Sequence, residues 1–265
     1  MNRLQRAKST HEGPLLGAAA YFYDPVFLEI CARIGYKVAW IEMEHGFITF
    51  AEGADLCRIA SGLGMLTMIR IPDARRESIL KACECGPDII DLPMANKRSD
   101  AENLVRYSRF KPIGERGFFS VSRSLHYGLV DDVAAAQQEL NGELCLFAQI
   151  ETAEALANVD EICSVPGVDI FIGPADLSAS LNVPGQTSHR KVYEGAAKAI
   201  SVARIHDKQV AVGAAPQDFD FYASQAVDLM FCINDIGALK IGAQSGMRDA
   251  VESIRKASAG VRRTD

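Results

Sequence analysis

The segment AWIEMEHG, residues 39–46, runs from strand-forming apolar residues into Glu42, Glu44 and His45 before a glycine. Two carboxylates and an imidazole at one strand end can move protons in either direction near neutral pH. Further along, MIRIP carries Arg70, AQIE carries Gln149 and Glu151, and FIGPADLSASL carries Gly173, Ala175 and Asp176. Glu151 and Asp176 are a half-shell for a hard divalent cation such as Mg2+ or Mn2+, leaving positions open for water and a chelating substrate. Thr152 can cap the helix that follows, which frees Glu151 for that work. No histidine-rich cluster points to zinc. Arg70 within an apolar strand requires an anionic partner, either a carboxylate such as Glu42 or an oxyanion developing on a substrate. Gly173 permits close approach of the backbone, and N–H groups at the start of GPADLSASL can hold a substrate carboxylate.

These residues share one trait: each sits at the end of a short apolar run. The runs are 15–22, 37–43, 66–71, 88–94, 144–151, 168–174, 209–215 and 228–235. Continuous apolar runs of this length suit parallel strands buried on both faces. Amphipathic helical patterns lie between them. One, 24–35, has Asp24 as its cap, Pro25 at its first position and Gly35 as its stop. Others are 99–110, capped by Ser99, and 152–165, capped by Thr152. Eight strand-then-helix units predict a closed (β/α)8 TIM barrel, whose chemistry gathers at the C-terminal strand ends. A doubly wound open sheet is the alternative, but the chain has no glycine-rich phosphate turn of the kind that fold usually carries. Residues 114–128 form a long glycine- and serine-rich insertion, a length that marks a functional or disordered loop.

The 265 residues read as one domain, with a last helix at 236–257. A net charge of −6 argues against a nucleic-acid partner, since phosphate contacts need a clustered basic surface. No apolar stretch is long enough to span a membrane and the start lacks a signal-peptide core, so a cytoplasmic location is expected. The seven cysteines lie mostly in apolar segments, and Cys83-Glu84-Cys85 has no second pair at zinc-finger spacing, so the thiols are expected to be reduced and structural.

Over about residues 14–255 the chain resembles the HpcH/HpaI aldolase/citrate lyase family, most specifically in EMEHG, MIRIP, DLPMAN, AQIETAEAL and FIGPADLSASL. The resemblance implies a barrel of the phosphoenolpyruvate/pyruvate type and a metal-dependent, class II pyruvate aldolase. Such an enzyme reversibly cleaves a 4-hydroxy-2-oxo acid to pyruvate and an aldehyde, with Mg2+, Mn2+ or Co2+ as cofactor. It further implies that Glu151 and Asp176 bind the metal, that Arg70 contacts the pyruvate keto oxygen and enolate, and that His45 is the acid–base group. Gln149 belongs to the same pocket, and the backbone of Ala175 and Asp176 holds the pyruvate carboxylate. Relatives carry Asp at the positions of Glu42 and Glu84; by the resemblance Glu84 is expected to pair with His45, with Glu42 as the alternative partner. The family also implies a homo-oligomer, a hexamer or trimer of dimers, that exchanges its last helix between subunits. A related carbon–carbon lyase or decarboxylase acting on an oxaloacetate- or malyl-type acid is the alternative activity.

Overall fold

The computed structural model describes residues 1–261. Its strands are β1 Leu15–Ala20, β2 Val38–Glu42, β3 Leu66–Arg70, β4 Ile89–Leu92, β5 Cys145–Ile150, β6 Asp169–Ile172, β7 Val210–Gly213 and β8 Leu229–Asn234. All pair in parallel in chain order, and β8 returns to β1, closing the barrel. Each strand lies inside one of the apolar runs. The helices are α1 Arg3–Ser9, α2 Pro25–Ile34, α3 Phe50–Gly62, α4 Arg76–Glu84, α5 Arg98–Ser108, α6 Val133–Glu143, α7 Ala153–Ala157, α8 Val159–Cys163, α9 Pro174–Ser180, α10 Arg190–Ile205, α11 Phe219–Ser224 and α12 Asp235–Val261.

Local chemistry sets the helix ends. Asp24 accepts from the backbone N–H of Phe27 at 3.1 Å, and Gly35 closes α2 at φ +116°. Thr152 accepts from Ala155 N–H at 2.9 Å, but the helix expected over 152–165 is two short ones meeting at Asn158. Ser99 is not a cap. Helix α5 starts earlier because Asp100 accepts from the backbone N–H groups of Asn96 and Lys97, at 3.0 and 2.9 Å. The last helix is longer than expected, running from Asp235 to Val261.

Two apolar cores hold the frame. One lies between the strands and the surrounding helices; the other fills the barrel with Leu15, Val38, Trp40, Met68, Ile89, Phe147, Phe171, Leu229 and Phe231. Trp40 packs at 5.0 Å from Phe171 and 4.8 Å from Phe231, centroid to centroid, closing the interior beneath the strand ends. Gly17 is required there, because a Cβ would collide with the Phe231 ring.

The 114–128 insertion is ordered and lies at the other end of its own barrel from the C-terminal strand ends. Buried Arg116 stacks over Phe110 at 4.6 Å and reaches Ser124 at 2.7 Å. Arg123 donates to the carbonyls of Cys85 and Gly86 at 2.9 and 2.6 Å, which tie the loop to the α4–β4 turn. Cys83 and Cys85 are buried free thiols in that turn, as a structural reading requires. No helix of the described residues is long and apolar enough to cross a membrane.

Candidate active site

Register brings the polar residues together. Glu42 on β2 lies opposite Arg70 on β3, and Arg70 lies opposite Asp91 on β4. All three side chains point inward from buried strands. Glu42 is fully buried and Arg70 is 4% exposed. The Arg70 Nε stands 2.5 Å from Glu42 Oε2, and one Nη stands 3.2 Å from Glu44 Oε2. The Nε–H is not aimed along the oxygen, so the close contact is an ion pair and not an aligned hydrogen bond. The guanidinium lies 5.2 Å over the Trp40 ring. Burial works against the Arg70 charge, but Glu42, Glu44 and Asp91 outweigh it and raise its pKa. Arg70 is fixed and permanently cationic.

Glu42 also organises the loop that carries the imidazole. Its second oxygen accepts from the backbone N–H groups of Glu44 and His45 at 2.7 and 3.0 Å. Gly46 lets the loop turn there, since a Cβ would collide with the Glu42 carbonyl oxygen. His45 is largely exposed, and its Nε2 is 3.7 Å from Glu44 Oε2. Burial raises the Glu44 pKa, against the pull of Arg70 and His45.

Glu84 does not meet His45 within the chain. It ends α4, which runs antiparallel to the strands, so it arrives at the opposite end of the barrel. There its carboxylate accepts from Arg116 at 3.0 Å. The carboxylate beside the imidazole is Glu44, which sits on the same turn as His45.

Across the barrel mouth, Glu151 at the end of β5 is 1% exposed. Its two oxygens accept from Met94 N–H at 2.6 Å and Gln149 Nε2 at 2.7 Å. Burial pushes its pKa up to about 7; Met94 and Arg70 pull it down, and Asp176 and Glu44 push it further up. The backbone of Gly173 passes so close that a Cβ would stand 2.8 Å from Gln149 Nε2 and Glu151 Oε2. Asp176 projects from the first turn of α9, exposed at the mouth. A buried carboxylate crowded by other carboxylates, beside an accessible one, fits a divalent cation, which would relieve the repulsion. Gln149 Oε1 is buried without a hydrogen-bond partner. Among the described residues no group of three or more His, Cys, Asp or Glu side chains is arranged to hold a metal ion.

Thus Arg70, Gln149, Glu151, Gly173, Ala175, Asp176 and His45 all stand at the C-terminal end of the barrel, and Glu84 alone does not. Asp91 and Tyr21 also belong to this neighbourhood and had not been singled out. Asp91 is fully buried with neither oxygen hydrogen-bonded, and burial holds its pKa well above the usual carboxylate range despite Arg70. The sequence signal was a carboxylate at an inward position of an apolar strand. A cavity of about 430 Å³ opens beside the site, bounded by Glu44, Asp73, Met94, Asn96 and Lys97. A larger one, about 540 Å³, lies at the far end beside Arg116 and Arg123, away from this cluster.

Fold and site define the class: a (β/α)8 barrel with carboxylates and a buried arginine at its strand ends. The HpcH/HpaI aldolase/citrate lyase family description matches residues 22–221, and the chain belongs to that family. It is 34% identical over 165 residues to hydroxypyruvate/pyruvate aldolase of Sagittula stellata, a stretch covering 62% of this chain and 64% of that protein. It is 34% identical over 187 residues to 2-keto-3-deoxy-L-rhamnonate aldolase of Shigella dysenteriae, covering 70% of this chain and 68% of the relative. The crystal structure of an HpcH/HpaI aldolase from Desulfitobacterium hafniense superposes with a TM-score of 0.85 at 26% identity, over 94% of this chain and 96% of that one.

Proposed function

We propose that the protein is a metal-dependent aldolase, a carbon–carbon lyase that reversibly cleaves a 4-hydroxy-2-oxo acid to pyruvate and an aldehyde. The observation that carries this reading is the buried Arg70 facing the Glu151–Asp176 carboxylates across one mouth. Family membership and aldolase-named relatives support it.

Glu151 and Asp176 would hold a divalent cation, Mg2+, Mn2+ or Co2+, which withdraws charge from the 2-oxo acid when bound. The N–H groups of Ala175 and Asp176, in the open first turn of α9, receive the pyruvate carboxylate. Gly173 leaves room for that approach, and Gln149 fixes the Glu151 carboxylate through its amide. Arg70 points its guanidinium at the keto oxygen, where negative charge grows as the C3–C4 bond breaks. Its ion pairs hold it there before substrate arrives, so no reorganisation is needed at the reacting moment. His45, exposed on the Glu42-organised turn, takes the C4 hydroxyl proton directly or through water.

The test is condensation: pyruvate with a panel of aldehydes and each of the three cations, with product followed by chromatography. A 4-hydroxy-2-oxo acid formed only with added cation is expected. No product with any pair would contradict the proposal.

The chain is also proposed to assemble as a homo-oligomer through its last helix. Leu239, Ile241, Met247 and Ile254 on α12 are each more than 60% exposed, apolar surface that a second copy could cover.

A further inference from the structure

Tyr21 has no role in the scheme above, yet it stands among its residues. It follows Leu15, Gly17 and Ala19 in the inward alternation of β1 and packs against the barrel's interior cluster. Its ring is half-buried. The charges that act on its hydroxyl are those of Glu42, Arg70, Asp235 and Asp176. Its hydroxyl makes no hydrogen bond to another described residue, which leaves it open to a ligand at the mouth.

The backbone around Tyr21 is tightly held. Asp235 Oδ2 accepts from the N–H groups of Tyr21 and Phe22 at 2.8 and 2.9 Å. The Tyr21 carbonyl accepts from Phe47 N–H at 2.9 Å. Phe22 and Phe47 stack at 5.3 Å and 8°, clamping the end of β1 to the turn that carries His45. These contacts fix the backbone that carries the Tyr21 ring relative to the His45 turn.

We propose that Tyr21 is the hydrogen-bond donor to the oxygen on C4, the oxygen that becomes the aldehyde carbonyl. This assignment rests on the aldolase reading. The pyruvate half of the substrate already has its partners: Arg70, the cation site and the first turn of α9. The C4 oxygen must lie near His45, because the imidazole exchanges its proton. Tyr21 is tied to the His45 turn and shares its side of the mouth. In cleavage the C4 hydroxyl loses its proton to the base, and its electron pair forms the aldehyde carbonyl. The C3–C4 bonding pair moves to give the pyruvate enolate, which is protonated at C3. Tyr21 keeps its own proton throughout and steadies the C4 oxygen as charge collects there. Burial, with Glu42 nearby, raises the phenol pKa, so it is a donor across the neutral range.

This separates two measurable reactions. Exchange of pyruvate C3 protons with D2O uses only the pyruvate half; aldol cleavage uses both halves. Tyr21→Phe keeps the ring packed and removes only the hydroxyl. The variant, loaded with Mg2+, should lose about 10²–10³-fold in kcat for cleavage, the cost of one donor at a developing oxyanion. Its rate of C3 exchange should equal that of the parent enzyme. Cleavage at the parent rate would overturn the assignment to Tyr21 while leaving the aldolase reading standing. So would a parallel fall of both reactions, which would place Tyr21 on the pyruvate side or in the fold. If the parent enzyme shows no cation-dependent exchange, the aldolase reading fails and takes this assignment with it.

Discussion

Replacing Arg70 with Met separates what the arginine does for the fold from what it does for the reaction. The side chain is 4% exposed and its Nε lies 2.5 Å from the fully buried Glu42. Methionine fills most of the volume but leaves the Glu42 charge without its counter-ion. Removing one member of a buried pair costs about 3–5 kcal/mol, most of it the desolvation of the orphaned partner. At about 2–4 °C per kcal/mol for a chain approaching this size, the melting temperature should drop by roughly 6–20 °C. Adding Glu42→Gln removes the orphaned charge and keeps an oxygen to accept from the N–H groups of Glu44 and His45. The double variant should therefore recover most of the lost stability. It should not recover activity: without Arg70 the enolate loses a donor, and kcat should stay down by about 10²–10³-fold. Thermal melts and cleavage assays on the parent, both single variants and the double variant complete the cycle. If Arg70→Met melts with the parent, the pair is not desolvated as described. If the double variant turns over normally, Arg70 is a structural ion and the assignment to the enolate is wrong.

Three further outcomes follow from the same geometry. Cation binding should weaken by about tenfold per pH unit below about 7, because Glu151 must lose its proton to bind; calorimetric affinities that stay flat from pH 8 to 5.5 would remove Glu151 from the ligand set. Asp169, whose pKa burial pushes up from 3.8 to about 6, is easier to protonate folded than unfolded, so its stabilising effect is complete at low pH and is lost as pH rises through about 6. Asp169→Asn should therefore gain up to about 2–3 kcal/mol over the parent at pH 8 and little at pH 4, and denaturant melts showing the reverse order would refute the sign. Glu84→Gln should lower thermal stability by about 1–3 kcal/mol by weakening the hold on buried Arg116; an unchanged melt would mean that the pair contributes nothing.

Much of this was legible in the chain. Strands buried on both faces leave unbroken apolar runs, so all eight could be placed, and their polar ends gather at one mouth of the barrel. Asp24, Pro25 and Gly35 bracketed α2 by local chemistry alone. Ser99 misled because Asp100, one residue on, competes better for the free N–H groups of the helix start. Glu84 was expected beside His45 from the resemblance alone; α4 runs back along the strands, so within one chain the two stand at opposite ends of the barrel. Tyr21 and Asp91 were missed inside runs read only for their apolar character. Their inward alternation with Leu15, Ala19 and Ile89 was the available signal.

The central claim is that Glu151 and Asp176 hold a cation at which pyruvate is enolised, with Arg70 stabilising the charge. Pyruvate C3 proton exchange in D2O, followed by NMR, tests it without knowledge of the aldehyde. Stripped with EDTA, the protein should leave the methyl protons unexchanged; Mg2+, Mn2+ or Co2+ should restore exchange in the parent and not in Glu151→Gln. Exchange that survives complete chelation, or that Glu151→Gln supports at the parent rate, would contradict the account.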